Sequence, residues 1–320
     1  MLNNCNNKQG ILFDNGMPFY SLNQYCRDVF GEKVYRLSLD AGFTCPNRDG
    51  TLSHSGCLYC SEGGSGDFAS DSSLSIHEQI STAKERITAK SNCTKFIAYF
   101  QAYTNTYGPV SRLRQIFTEA INQADIVALS IATRSDCLDD EIIDLLCELN
   151  QQKPIWIELG LQSIHKVSLD RMNTHTSVEQ FDDAVQKLHK CNISVIAHLI
   201  LGLPGETKEM MLQSVDHVAH SNISGVKLQL LHILKNTPLA DIYSREPFKT
   251  FELEEYCDFV IDCIERLPSD MVIHRMTGDG PRALLLAPLW STDKKRVLHT
   301  INKKFKERNT WQGRMYSPKE

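Results

Sequence analysis

The sequence predicts an α/β protein built on a parallel barrel, complete or partial. Three observations point there: six short apolar runs rich in β-branched and aromatic residues, amphipathic helical patterns between them, and no glycine-rich dinucleotide fingerprint. With 320 residues, 42% of them apolar, the chain can bury one large core.

The elements follow in order. Residues 1–29 read as an N-terminal extension, and KVYRLSL (33–39) as the first strand. A helical pattern at 75–90 begins at Ser75, which is placed to cap IHEQI. KFIAYF (95–100), DIVALSI (125–131), PIWIELG (154–160), ISVIAHLI (193–200) and GVKLQLL (225–231) are the remaining strands. They are too short for helices and too continuously apolar for strands with a wet face. Helical patterns at 110–123, 139–152, 177–189 and 208–220 separate them, with Asp139 and Thr207 as candidate N-caps. This places the main domain at about 30–235, and residues 236–320 form a C-terminal extension of helices, a candidate strand VIHR (272–275) and a turn TGDGP (277–281). The last helical pattern has Val297, Leu298, Ile301 and Phe305 at core spacing. It carries the basic run Lys294, Lys295, Arg296, Lys303, Lys304, Lys306, Arg308 and Arg314, read either as a solvated face or as a local basic surface.

A net charge of −5 excludes a global polycation that adheres to nucleic acid without specificity. No stretch approaches the roughly 20 apolar residues of a membrane span, and MLNNCNNKQG lacks the marks of a signal peptide. A soluble, cytoplasmic protein is expected, with no membrane partner. Eleven cysteines, an odd number scattered from Cys5 to Cys263, argue against a disulfide framework. Cys147, Cys257 and Cys263 fall among apolar residues at helical spacing and are expected in the core, whereas Cys137 ends a strand and is expected to face a pocket.

Cys45, Cys57 and Cys60 need another explanation. They follow the first strand in AGFTCPNRDGTLSHSGCLYCSEGGSGDF (41–68), at the carboxyl end where barrel sites are built. Thiolates select zinc, copper(I) or iron-sulfur clusters. A structural zinc takes four ligands, so His54 or a distant residue would have to complete it. Three thiolates on a [4Fe-4S] cluster instead leave one iron open to the amine and carboxylate of S-adenosylmethionine. An electron from the cluster then cleaves the sulfonium to give a 5′-deoxyadenosyl radical. Gly63, Gly64 and Gly66 would let backbone approach an anion, or simply form a turn. Glu158 interrupts an apolar strand, which is costly unless the carboxylate is paired or functional. Lys227 and Gln229 share one face of the sixth strand, with His232 and Lys235 beyond it.

GCLYC after an upstream cysteine, with ELGLQS and LILGLPGET, resembles the radical S-adenosylmethionine proteins. The fuller set TCPNRDG, YFQAYTNTY, SIATRSDCL, IELGLQS, LLHILKNTP and HRMTGDGP is similar to the YtqA/YhcC branch, related to the radical domain of the Elongator catalytic subunit. The resemblance runs from about residue 10 to 315. It implies a partial (βα)6 TIM-like radical SAM barrel, with Cys45, Cys57 and Cys60 on the cluster despite a first spacing longer than the superfamily's usual one.

Further implied contacts to S-adenosylmethionine are Tyr59 through its backbone carbonyl, Gln101 and Thr104 near the methionine amine, Thr133, Arg134 and Asp136 after the third strand, Gln162 after the fourth, and Gly202 and Gly205 after the fifth. Glu158, Lys227 and His232 are the implied catalytic groups, and His274, Arg275, Asp279 and Arg282 are placed to close the pocket. Relatives carry Arg before the histidine of NTHT, where this chain has Thr174 followed by His175. Arg171 or Arg134 would then have to meet the cofactor carboxylate, a charge-assisted contact threonine cannot make. Ser135 likewise replaces the proline of a TRPD motif.

The implied activity is modification of the C5 side chain of the tRNA wobble uridine, carboxymethylaminomethyl to aminomethyl, with an electron donor such as flavodoxin or ferredoxin. A radical enzyme acting on a small molecule and a noncatalytic zinc- or cluster-containing RNA-binding module are the alternatives.

Overall fold

A computed structural model describes residue 13 and residues 16–278 and 280–318. The predicted strands appear as β1 (Tyr35–Leu39), β2 (Phe96–Phe100), β3 (Ile126–Thr133), β4 (Ile155–Gln162), β5 (Ser194–Leu201) and β6 (Gly225–Leu230). All pair in parallel in chain order. Helices α2 (Ile76–Thr88), α3 (Val110–Ile121), α4 (Asp140–Asn150), α5 (Lys166–Arg171), α6 (Val178–Lys190) and α7 (Lys208–Ala219) make the crossovers. Ser75 closes a capping box with Glu78, and the Asp139 and Thr207 side chains accept from the N–H groups of Ile142 and Met210.

Two elements go beyond the six-strand reading. VIHR is a seventh parallel strand, β8 (Val272–Arg275), on the free edge of β6. Its four residues were too few to show a period. The first helix, α1 (Leu22–Phe30), is flanked by Ser21, whose side chain accepts from Gln24 N–H, and by Gly31 at φ 79°. Ser21 and Gly31 are the capping residues that mark a helix within the N-terminal extension.

The sheet curls far enough for its edges to meet across the interior, where Arg36 Nη2 of β1 lies 2.6 Å from His274 Nδ1 of β8. Side chains alternate between the outer face, which packs on the helices, and the inside. The lowest inner layer, Ile97, Ala128, Trp156 and Ile196, is closed from below by Leu22, Tyr25, Cys26 and Phe30 of α1. Fully burying an isoleucine such as Ile97 or Ile196 contributes about 1.5–3 kcal/mol. The layer above holds Arg36, Tyr99, Ser130, Glu158, His198 and Lys227. The barrel therefore has an apolar stopper at one end and a polar floor facing the other.

After β6 the chain makes an antiparallel pair, β7 (Ile233–Leu234) with β9 (Leu285–Ala287), and the helices α8 (Pro238–Arg245), α9 (Leu253–Glu265) and α10 (Lys294–Arg308). On α10, Val297, Ile301 and Phe305 are buried as expected, whereas Leu298, one position off that stripe, is exposed. Lys304 bonds Glu254 and Asp258, and Arg308 bonds Asp262 and Glu265, so part of the basic run is neutralised by α9. Cys257 and Cys263 are buried. Cys147, expected in the core without a disulfide, is half-buried and joined to Cys191 across the ends of α4 and α6, with Cα atoms 5.4 Å apart. Spacing within one helix could not show that a second helix end brings another thiol alongside. Among the described residues no helix is long and apolar enough to cross a membrane.

Candidate active site

One cavity of about 230 Å³ opens at the carboxyl end of the strands. Cys45, Cys57, Tyr59, Cys60, Gln101, Thr104, Thr133, Arg134, Glu158, Gln162, Lys227 and His232 all line it. Fold topology has thus gathered residues from more than 180 positions of sequence into one wall and floor.

The wall is the loop from Cys45 to Cys60. Arg48 holds its shape by donating to the carbonyls of Cys60 (3.1 Å), Ser61 (2.5 Å) and Glu62 (3.3 Å). Cys60 N–H donates to Cys57 O, and Asn47 Nδ2 donates to Cys57 Sγ at 3.4 Å. A hydrogen bond from the Cys60 thiol, aided by the charge of Arg134 and by Asn47, lowers the Cys57 pKa to about 6 against the effect of burial. Among the described residues no three His, Cys, Asp or Glu side chains converge on a single-ion point. Thiolates that attach to different irons of one cluster do not require that convergence.

Beside the thiols, Arg134 is fixed by a bidentate pair with Asp136 (2.9 and 2.7 Å) and donates to the carbonyls of Thr174 (2.8 Å) and His175 (3.2 Å). Asp136 therefore acts through Arg134 and does not itself line the cavity. Of the two arginines that could answer for Thr174, Arg134 lines the cavity, whereas Arg171 does not and instead donates to Pro204 O. His175 is an exposed turn residue. Gln162 sits in a β-bulge at φ 66°, with its side chain over Gly160. Its buried Oε1 has no hydrogen-bond partner among the described residues, so it offers an acceptor to a ligand.

Gly202 and Gly205 are not brought to this cavity. With φ of 93° and 85° they turn the chain into a neighbouring cavity, where Phe251 packs on Gly202 and Arg171 on Gly205. Cys137 also stays outside, half-buried in the turn after β3. Gln229 and Arg275 line the cavity, His274 lies beneath it beside Arg36, and Arg282 is exposed. Asp279 lies outside the described residues.

The floor explains the interruption at Glu158. That carboxylate, fully buried, accepts from Ser130 Oγ (2.7 Å) and bonds His198 Nε2 (2.9 Å), Lys227 Nζ and, at 3.4 Å, Arg36. Burial alone would raise its pKa, but Lys227, Arg36 and His198 together hold it well below the usual carboxylate range. Lys227, also donating to Tyr99 OH at 3.0 Å, is pushed down to about 7 by burial against the pull of Glu158, with Arg36 and Arg275 adding to the fall. Burial and the Lys227 charge take His198 down to about 4, so it is neutral at pH 7. Tyr99, His198 and Arg36 were missed. His198 interrupts ISVIAHLI just as Glu158 interrupts its own strand, so the same rule would have found it.

The chain is similar to known proteins along most of its length. The family model described as the radical SAM superfamily matches residues 45–218, and a radical SAM C-terminal domain model matches residues 223–307. The uncharacterised protein YtqA of Bacillus subtilis is 42% identical over 298 residues, covering 93% of this chain and 92% of YtqA. A tRNA uridine(34) acetyltransferase of Methanocaldococcus infernus is 27% identical over 163 residues, half of this chain and 30% of that protein. Among solved structures, the archaeal Elp3 of Methanocaldococcus infernus superposes with a TM-score of 0.65 at 19% identity, over 87% of this chain and 64% of that one. The length of the family match and the extent of the YtqA alignment place the chain in the radical SAM superfamily, whose cofactors are a [4Fe-4S] cluster and S-adenosylmethionine.

Proposed function

We propose that this radical SAM enzyme acts on tRNA, converting the carboxymethylaminomethyl side chain at C5 of the wobble uridine to aminomethyl. The observation that carries the reading is the presence, in one cavity, of three thiols on the wall and a buried Glu158–Lys227 pair on the floor. The tRNA substrate is supported by the similarity to a relative whose name places its action on tRNA uridine 34. The exposed Lys294, Lys295, Arg296, Lys303 and Lys306 offer phosphate contacts.

Cys45, Cys57 and Cys60 would hold the cluster, and Tyr59, Gln101, Thr104, Thr133, Arg134 and Gln162 would surround S-adenosylmethionine. When bound, the two cofactors would supply a 5′-deoxyadenosyl radical to take a hydrogen atom from the carboxymethyl CH2 and an oxidised cluster to accept the electron left on that carbon, so that water can hydrolyse the resulting imine to the aminomethyl group and glyoxylate. Arg134, immobilised by Asp136, presents a fixed cation to the cofactor carboxylate. Lys227 holds a proton at Nζ, positioned by Glu158 and Tyr99, and would deliver it to the amine left after C–N cleavage. His232, whose ring packs against Gly278 and Gly280, would orient the incoming side chain at the rim.

The test starts from anaerobic protein reconstituted with iron and sulfide, reduced with a flavodoxin or ferredoxin system. It is incubated with S-adenosylmethionine and tRNA bearing the carboxymethylaminomethyl group. Conversion of that nucleoside to the aminomethyl form, with 5′-deoxyadenosine, is expected. Deoxyadenosine formed with the tRNA unchanged would move the reading to a small-molecule substrate, and tRNA binding without deoxyadenosine to a noncatalytic module.

A further inference from the structure

One buried amide joins the cysteine loop to the turn at 172–175 packed against it. Asn47, two residues after Cys45, is fully buried. Its Nδ2 donates to Asn173 O at 2.6 Å and to Cys57 Sγ at 3.4 Å. With one hydrogen committed to the carbonyl, the other is aimed at sulfur.

The carbonyl that aims it is itself held in place. Leu58 N–H donates to Met172 O at 3.0 Å, and Arg134 takes the next two carbonyls of the turn, those of Thr174 and His175. The Asn173 side chain returns to Ser55 Oγ (3.0 Å) and Gly56 O (2.8 Å), back in the cysteine loop. Asn173 stands at φ 54°, a left-handed conformation that asparagine adopts more readily than most residues. Three consecutive carbonyls, 173 to 175, thus carry both the amide at Cys57 and the arginine at the cofactor wall.

An N–H directed at a cluster thiolate favours the reduced, more negative state over the oxidised one, and such bonds are among the protein's controls on cluster potential. Loop shape alone does not explain the contact, because Arg48 next door bonds carbonyls of the same loop, whereas Asn47 bonds a sulfur. We propose that Asn47 is a positioning residue that raises the reduction potential of the [4Fe-4S] cluster through an N–H···S bond to Cys57, aimed by the Asn173 carbonyl. The inference rests on Cys57 as a cluster ligand and not on the choice of substrate.

The test is an anaerobic redox titration of reconstituted wild type, N47A and N47L, following the reduced cluster by electron paramagnetic resonance, with iron and sulfide per chain measured beside it. At the potential where the wild type is half reduced, the variants are expected to show a reduced-to-oxidised ratio about tenfold lower, a shift of about 59 mV for one electron. A ratio within twofold of the wild type, at equal cluster content, would overturn the proposal. If the variants hold no cluster, wild-type protein labelled with 15N in the asparagine side-chain amides decides the matter. A hyperfine coupling from 15N to the reduced cluster supports the bond, and its absence rejects it. Full iron content in C57A would remove the ligand assignment itself, whatever the titration gives.

Discussion

Replacing Lys227 by methionine tests the buried floor through the pH dependence of stability. Lys227 is 1% exposed and its pKa lies near 7 in the folded chain, against an ordinary 10.5. Between those values the unfolded chain binds the proton and the folded chain sheds it. The unfolded state then carries more protons, and stability rises with pH across that window. From about pH 7.5 to about pH 9 the rise due to this one group is about 2 kcal/mol. At an unfolding entropy of about 2.1 cal/mol/K per residue, that is ~3 °C in melting temperature. Denaturant unfolding of cluster-free wild type and K227M, anaerobic and with a thiol reductant, gives the two curves against pH. Their difference cancels the cysteines, which also titrate there. Wild-type stability should climb relative to K227M by about 2 kcal/mol over the interval. Parallel curves would refute the reasoning, because Lys227 would then be no harder to charge in the floor than in water.

Three further outcomes are expected. C45A, C57A and C60A should each lose cluster iron and 5′-deoxyadenosine production, whereas C147S, far from the cavity wall, should retain both by iron assay and chromatography. R134Q removes a fixed cation held by Asp136 and two carbonyls, and calorimetric titration should show S-adenosylmethionine binding weakened about 10- to 100-fold, the worth of one charge-assisted contact. G225A would put a methyl 2.7 Å from the His274 ring and 3.0 Å from Val272 O, so thermal melting should report a loss of about 1–3 kcal/mol.

The barrel was legible because its signal is local. Runs such as KFIAYF and DIVALSI carry their own length and composition, and capping residues at Ser75, Asp139 and Thr207 fix where helices begin. The three cysteines were equally plain, since thiol spacing needs no tertiary context to be noticed. What depends on height within the barrel was not legible. Alternation puts Glu158 and Lys227 inside, but only the folded barrel shows that both meet Arg36, Tyr99 and His198 in one layer, through contacts between side chains far apart in sequence. The turn after β5 failed for a related reason. LGLPGET reads as a glycine turn that lets backbone approach the cofactor, yet which cavity it faces is set by Phe251 and Arg171, distant in sequence.

The polar layer is the feature least expected of a barrel, whose interior is ordinarily filled with branched apolar side chains. Glu158 is fully satisfied, but Arg36 Nε has no hydrogen-bond partner among the described residues, and Lys227 is buried near cations as well as beside its carboxylate. Such a cluster is a poor stabiliser, because desolvating its charges offsets most of their mutual attraction. If the layer exists for stability, apolar replacement should weaken the fold; if for chemistry, replacement should strengthen the fold and abolish turnover. Substituting all three charges together in R36M/E158L/K227M avoids stranding a lone ion. We expect that variant to gain about 1–4 kcal/mol in denaturant unfolding while forming no modified nucleoside. A triple variant less stable than the wild type would make the layer a structural element, and the case for Glu158 and Lys227 as chemical groups would lose its physical basis.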